Sequence, residues 1–136
     1  MITAVDTNVL LDLFGADRTF GPRSRLWIHS CLTEGRLIAC AVVWTEVAAF
    51  FPSPVAAQNA MDRLGVVYSI IELKTALTAS QAWKAYRRRG GQRERVAADF
   101  LIGAHAVIQA DRLLTSDRGF YRTYFSRLKV LDPSTA

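Results

Sequence analysis

The chain reads as a single α/β domain over residues 1–136, with a central, mostly parallel β-sheet flanked by helices on both faces. Three observations predict this. Short apolar runs rich in β-branched residues alternate with segments of helical periodicity, the order that builds βαβ units. Cap and breaker residues fall between these segments. No internal repeat, low-complexity tract or linker divides the chain, and at 136 residues with 51% hydrophobic content it is long enough for one core.

The elements follow in order. Residues 2–5 form a buried first strand, and residues 7–14 a short helix after it. Pro22 opens a second helix running to Glu34, closed by Gly35. A strand over residues 37–41 leads into a helix through Trp44 to Phe50, which Pro52-Ser53-Pro54 stops. Ser53 caps the next helix, with Pro54 at its first position and Gly65 ending it. Residues 66–71 are a β-branched strand. An amphipathic helix over 75–89 follows, with Ala76, Ala79, Trp83 and Tyr86 on one face, and Gly90-Gly91 breaks it. A very apolar helix spans 96–110, and residues 113–114 and 130–131 are short final strands.

Bulk chemistry narrows the setting. The longest apolar run, residues 37–51, is interrupted by Thr45 and Glu46 and is too short to span a bilayer. The N-terminus has neither a basic leader nor a cleavage site. Cys31 and Cys40 form no CxxC or zinc spacing and sit in apolar stretches, as buried free thiols of a reducing compartment would. A cytoplasmic protein with no membrane partner is expected. Net charge is +5, and arginine supplies 14 of the 17 basic residues, a flat donor fork suited to phosphate oxygens.

Four carboxylates stand apart from the rest because their neighbours are apolar or they end a strand. Asp6 closes the first strand. Glu46 is the only acid between Arg36 and Pro52, Asp99 the only one in its apolar helix, and Asp117 follows Leu113-Leu114-Thr115-Ser116. Ligands of an open parallel sheet bind at the carboxyl ends of the strands, and the expected topology brings all four acids to that edge. Converging there they repel one another, and a hard divalent cation, Mg²⁺ or Mn²⁺, relieves the repulsion with oxygen ligands alone. Each acid also has a plain structural use. Asp6 and Asp117 suit helix caps, Glu46 an ion pair with an arginine across the core, and Asp99 the positive end of a helix dipole. Four such coincidences at one edge make the joint site the better explanation.

At these residues the sequence resembles the PIN-domain nucleases, and among them the VapC-type toxins of bacterial toxin–antitoxin pairs. The matching segments are Val5-Asp6-Thr7-Asn8-Val9-Leu10-Leu11-Asp12, Val43-Trp44-Thr45-Glu46-Val47, Ala98-Asp99-Phe100-Leu101-Ile102-Gly103-Ala104-His105-Ala106 and Leu113-Leu114-Thr115-Ser116-Asp117-Arg118-Gly119-Phe120. They cover essentially the whole chain in register. The resemblance implies a metal-dependent endoribonuclease that uses Mg²⁺ or Mn²⁺, is inhibited by a cognate antitoxin protein and forms a homodimer. It also implies that Asp6, Glu46, Asp99 and Asp117 are the catalytic, metal-binding quartet. Thr7, Asn8 and Ser116 fall where the family places supporting polar residues, while Asp12 lies beyond the quartet's edge.

The best RNA-binding segment is Tyr86-Arg87-Arg88-Arg89-Gly90-Gly91-Gln92-Arg93-Glu94-Arg95. Arg87, Arg88 and Arg89 equally complement a helix C-terminus, but Arg93 and Arg95 precede a helix N-terminus, where cations are unfavourable. Their presence there favours phosphate contact. Arg118 is a further candidate, or else a structural ion pair. His29 and His105 have no partner at metal-ligand spacing, and Trp27, Trp44 and Trp83 are most simply core. A phosphotransferase of the haloacid-dehalogenase type would need an aspartate where Asn8 stands and a late lysine where Arg118 stands. The remaining rival is a non-catalytic RNA- or protein-binding module of the same fold.

Overall fold

A computed structural model describes residues 1–91 and 97–134. Among them lie five strands and seven helices: β1 (Ile2–Val5), α1 (Thr7–Phe14), α2 (Gly21–Glu34), β2 (Arg36–Cys40), α3 (Ala41–Phe50), α4 (Pro54–Leu64), β3 (Val66–Ser69), α5 (Leu73–Arg88), α6 (Ala97–Gln109), β4 (Arg112–Leu114), α7 (Arg118–Tyr124) and β5 (Val130–Leu131). The sheet order is β3-β2-β1-β4-β5 and every pairing is parallel. The chain winds outward from β1 to β3, then crosses back to β4 and winds the other way. Right-handed crossovers put the helices of the two legs on opposite faces. The reversal makes the gap between β1 and β4 the switch point of the sheet.

The central strands are buried on both faces, which is why they read as unbroken apolar runs. Ala4, Val5, Leu37, Ile38, Ala39, Leu113 and Leu114 all belong to the core. Local chemistry fixes most boundaries as expected. The Ala56 N–H donates to Ser53 Oγ at 3.1 Å, with Pro54 opening α4. Gly65 takes the left-handed conformation (φ +90°) that ends the helix, its N–H donating to the Met61 and Asp62 carbonyls. Among the described residues no helix is long and apolar enough to cross a membrane.

The differences have local causes. β2 passes into α3 with no loop, so the helix starts at Ala41 rather than near Trp44. β3 stops at Ser69 because the Ile70 carbonyl turns away to accept from Gln109 Nε2 at 2.8 Å. The helix α7 has no counterpart in the sequence reading. Its 7 residues hold too few turns to display a period, and Phe120 and Tyr121 bury themselves from it. Cys31 and Cys40 are buried free thiols, as expected. Trp27 and Trp44 are half-buried, whereas Trp83 is exposed, against its expected core role.

Candidate active site

The site is built at the switch point. Asp6 leaves β1 in an extended conformation, and its N–H donates to the Leu114 carbonyl at 2.9 Å, fastening the end of β1 to the end of β4. Its carboxylate is buried. Oδ1 accepts the Thr7 N–H at 2.7 Å, so Asp6 does cap α1. Oδ2 accepts from the Thr115 hydroxyl at 2.7 Å, the Tyr121 hydroxyl at 3.0 Å and Asn8 Nδ2 at 3.3 Å. One Asp6 oxygen thus caps α1 while the other is held by a fixed set of side-chain donors.

Asn8 and Thr115 knit the two strand ends further. Asn8 Oδ1 accepts the Ser116 N–H at 3.2 Å, and Thr115 Oγ1 accepts the Asp117 N–H at 3.0 Å. Ser116 thus contributes its backbone here. Thr7 donates its hydroxyl to Glu46 Oε1 at 2.7 Å, linking α1 to α3. Glu46 is exposed and oriented by a threonine, and among the described residues no arginine pairs with it. Asp99, in the first turn of α6, and Asp117, at the start of α7, are half-buried.

Electrostatics show how the acids relate. Burial pushes Asp6 up from 3.8 to about 6, against the lowering effect of the Thr115, Tyr121 and Thr7 hydrogen bonds, and the charge of Asp99 adds to the rise. Burial likewise drives the Tyr121 phenol far above its ordinary value, and the negative fields of Asp6, Asp99 and Asp117 reinforce it. Asp6 accepts from that hydroxyl, and Asp99 and Asp117 act on it through their charge. Even so, among the described residues no three Asp, Glu, His or Cys side chains are grouped closely enough to enclose an ion. Asp99 is near enough to Asp6 for its charge to be felt there, and the four acids supply only oxygen. A donor set of oxygen alone is the chemistry of a hard cation such as Mg²⁺.

The basic candidates divide. Arg87 and Arg88 end α5 and are exposed, and the Arg89 guanidinium lies 5.9 Å from the Tyr124 ring centroid. Arg118 is half-buried at the start of α7 beside Asp117. Arg93 and Arg95 lie outside the described residues. His29 is exposed, and His105 is buried with Nε2 2.9 Å from Ser69 Oγ. Two residues of the site escaped the sequence reading, Thr115 as an Asp6 partner and Tyr121. The only signal for Tyr121 was its position four residues after Asp117, one helical turn, which has meaning only once α7 is known.

A model of the PIN domain family matches residues 3–126 of the chain. No curated protein matches it by sequence. Among solved structures it is similar to VapBC2 from Rickettsia felis bound to a DNA fragment from its promoter, at TM-score 0.75 and 14% identity over 97% of this chain and 98% of that one. A toxin–antitoxin complex from Klebsiella pneumoniae is similar at TM-score 0.66 and 19% identity, covering 96% and 97% of the two chains. VapC20 from Mycobacterium tuberculosis, a sarcin-ricin loop cleaving toxin, is similar at TM-score 0.61 and 20% identity, covering 93% and 98%. At these identities the likeness is one of fold.

Proposed function

The chain belongs to the PIN domain family, and from that premise we propose that it is a metal-dependent endoribonuclease, the toxin of a toxin–antitoxin pair. The observation that carries this reading is the buried Asp6 carboxylate at the sheet's switch point, held by the Thr115 and Tyr121 hydroxyls and within reach of the charge of Asp99. A scaffold with no chemistry to perform has little reason to bury a carboxylate within reach of a second acid, since the two charges oppose each other.

Phosphodiester hydrolysis brings an oxygen nucleophile in line with the leaving oxygen while negative charge grows on the non-bridging oxygens. A bound Mg²⁺ or Mn²⁺ supplies water activation and charge neutralisation. Asp6, Asp99 and Asp117 would hold it, partly through waters, and Glu46, set by Thr7, would orient the attacking water. Thr115, Tyr121 and Asn8 keep Asp6 Oδ2 in one place, so the carboxylate need not reorganise when RNA arrives. Arg87, Arg88, Arg89 and Arg118 would meet the phosphate backbone. A cognate antitoxin would mask this edge in a cytoplasmic complex. The similarity to a toxin–antitoxin complex and to an RNA-cleaving toxin supports that assignment.

The test is cleavage of total cellular RNA by the purified protein in Mn²⁺, beside EDTA and an Asp99→Asn variant. Discrete fragments lost in EDTA, and reduced by about 100-fold in the variant, are the expected result. A folded, antitoxin-free protein that leaves all RNA intact while Mn²⁺ fails to raise its melting temperature would overturn the reading in favour of a binding module.

A further inference from the structure

Trp83 belongs to α5, little more than a turn before the helix ends, and it is the exposed member of an aromatic cluster attached to the acidic edge. Phe100 is the cluster's centre. The Trp83 ring stacks on it at 6.4 Å and 20°, Phe120 meets it edge-on at 5.2 Å, and Tyr86 and Tyr124 pack at 5.5 and 5.9 Å. Phe100 immediately follows Asp99, and Phe120 lies three residues after Asp117, so the elements bearing two of the acids rest on these rings. Trp83 is 37% exposed. With one side against Phe100, the indole still leaves part of its surface to solvent.

The surroundings of that surface are basic. Ser80, Trp83, Lys84, Arg87 and Arg88 line a groove of about 580 Å³. From Leu73 to Arg88 the helix carries Lys74, Lys84, Arg87 and Arg88 and no acidic residue. The helix dipole accounts for Arg87 and Arg88 in the last turn, but it does not explain an indole exposed between them and Ser80. An aromatic face inside a cationic groove is the arrangement that binds unpaired nucleic acid, because every base has a face to stack and every linkage a phosphate.

We propose that this groove is a base-stacking subsite for single-stranded RNA, in which one unpaired base lies on Trp83 and Lys84, Arg87 and Arg88 hold the adjoining phosphates. The proposal rests on the ribonuclease reading of the acidic edge and deepens it. Because a base in a duplex is already stacked between its neighbours, the subsite requires the substrate to be unpaired near the cut. Fluorescence anisotropy of a short labelled oligouridylate in EDTA tests this with chemistry switched off. Trp83→Leu, which keeps an apolar contact to Phe100, should weaken binding by about 5-fold or more, while Trp83→Phe stays close to wild type. Arg87→Gln should also weaken binding and reduce the salt slope by about 0.7. An RNA duplex should bind with no dependence on Trp83. Quenching of tryptophan emission by the single strand, lost in Trp83→Phe, checks the same contact in a protein that keeps its ring packing.

Equal binding by wild type and Trp83→Leu overturns the subsite, as does a duplex that loses as much as the single strand. Polyglutamate bound with the same Trp83 dependence overturns it too, by pointing to a protein partner. Metal-dependent cleavage that survives Trp83→Leu at unchanged KM removes the subsite and leaves the nuclease reading standing. Trp83-dependent binding of single strands without cleavage in Mn²⁺ does the reverse.

Discussion

Asp6 and His105 are both buried, and burial moves their proton affinities in opposite directions. Asp6 is raised from 3.8 to about 6, so the folded state holds a proton that the unfolded chain releases; its contribution to stability is present at low pH and is lost as pH rises through that window. His105, on Ser69, is lowered by burial from 6.5 to about 4, so its contribution is present at neutral pH and is lost as pH falls through that window. Each amounts to about 3 kcal/mol across its window. Between pH 4 and 6.5 the two slopes oppose, and urea midpoints of the metal-free protein should be nearly flat with pH. Asp6→Asn should leave the His105 slope uncovered, so that its midpoint climbs over the same range. Parallel profiles for the two proteins would mean that Asp6 does not titrate as its burial demands.

At the scale of elements, the approach of α6 to the end of α7 depends on a missing side chain. A Cβ on Gly103 would stand 2.3 Å from Phe125 Cε2, and Phe125 is itself buried, with no room to retreat. Alanine is the better helix former by about 1 kcal/mol, yet overpacking a closed contact costs about 1 to 3 kcal/mol and should win. Gly103→Ala is therefore expected to lower the urea midpoint, and Phe125→Leu in the same chain to recover part of the loss. An unchanged or raised midpoint would show that the two helices slide apart freely. The contact would matter for the proposed activity because α6 bears Asp99 and α7 follows Asp117, two of the acids proposed to act with Asp6.

Viewed whole, the molecule ends its sheet at β3, an edge strand whose Val67 and Tyr68 are exposed. Val67, Tyr68, Ile70, Leu73 and Leu77 are all exposed large hydrophobics within one short stretch of chain. An apolar sheet edge of this kind invites pairing, and a second copy of the chain is the expected occupant. Sedimentation velocity should find a species of twice the chain's mass, and Leu73→Glu, far from the core, should return it to the monomer with its fold retained. A wild-type monomer at all accessible concentrations would remove the dimer and leave the nuclease reading untouched. The charge of the whole molecule acts differently. A net +5 favours RNA at a distance, whereas discrimination must come from local features such as the Trp83 groove.

The sequence alone determined the architecture, because its signals are local. Period, caps and breakers set most of the elements, and apolar runs without alternation marked strands buried on both faces. The four acids also stood out from sequence, since a carboxylate among apolar residues is conspicuous wherever the chain folds. Only the tertiary structure decided what each acid meets. Asp6 came to Tyr121 across 115 residues and to Thr115 across 109, and Glu46 came to the Thr7 hydroxyl. Buried Arg112 came to Thr3 Oγ1 at 2.9 Å and Glu34 at 3.1 Å. Trp83 has the helical spacing of a core residue and still opens outward, because periodicity fixes a side chain's face on its helix and not how far the neighbouring elements extend over it. Hydrogen bonds and burial between distant segments depend on where the crossovers return the chain, and no pattern along the sequence encodes that return.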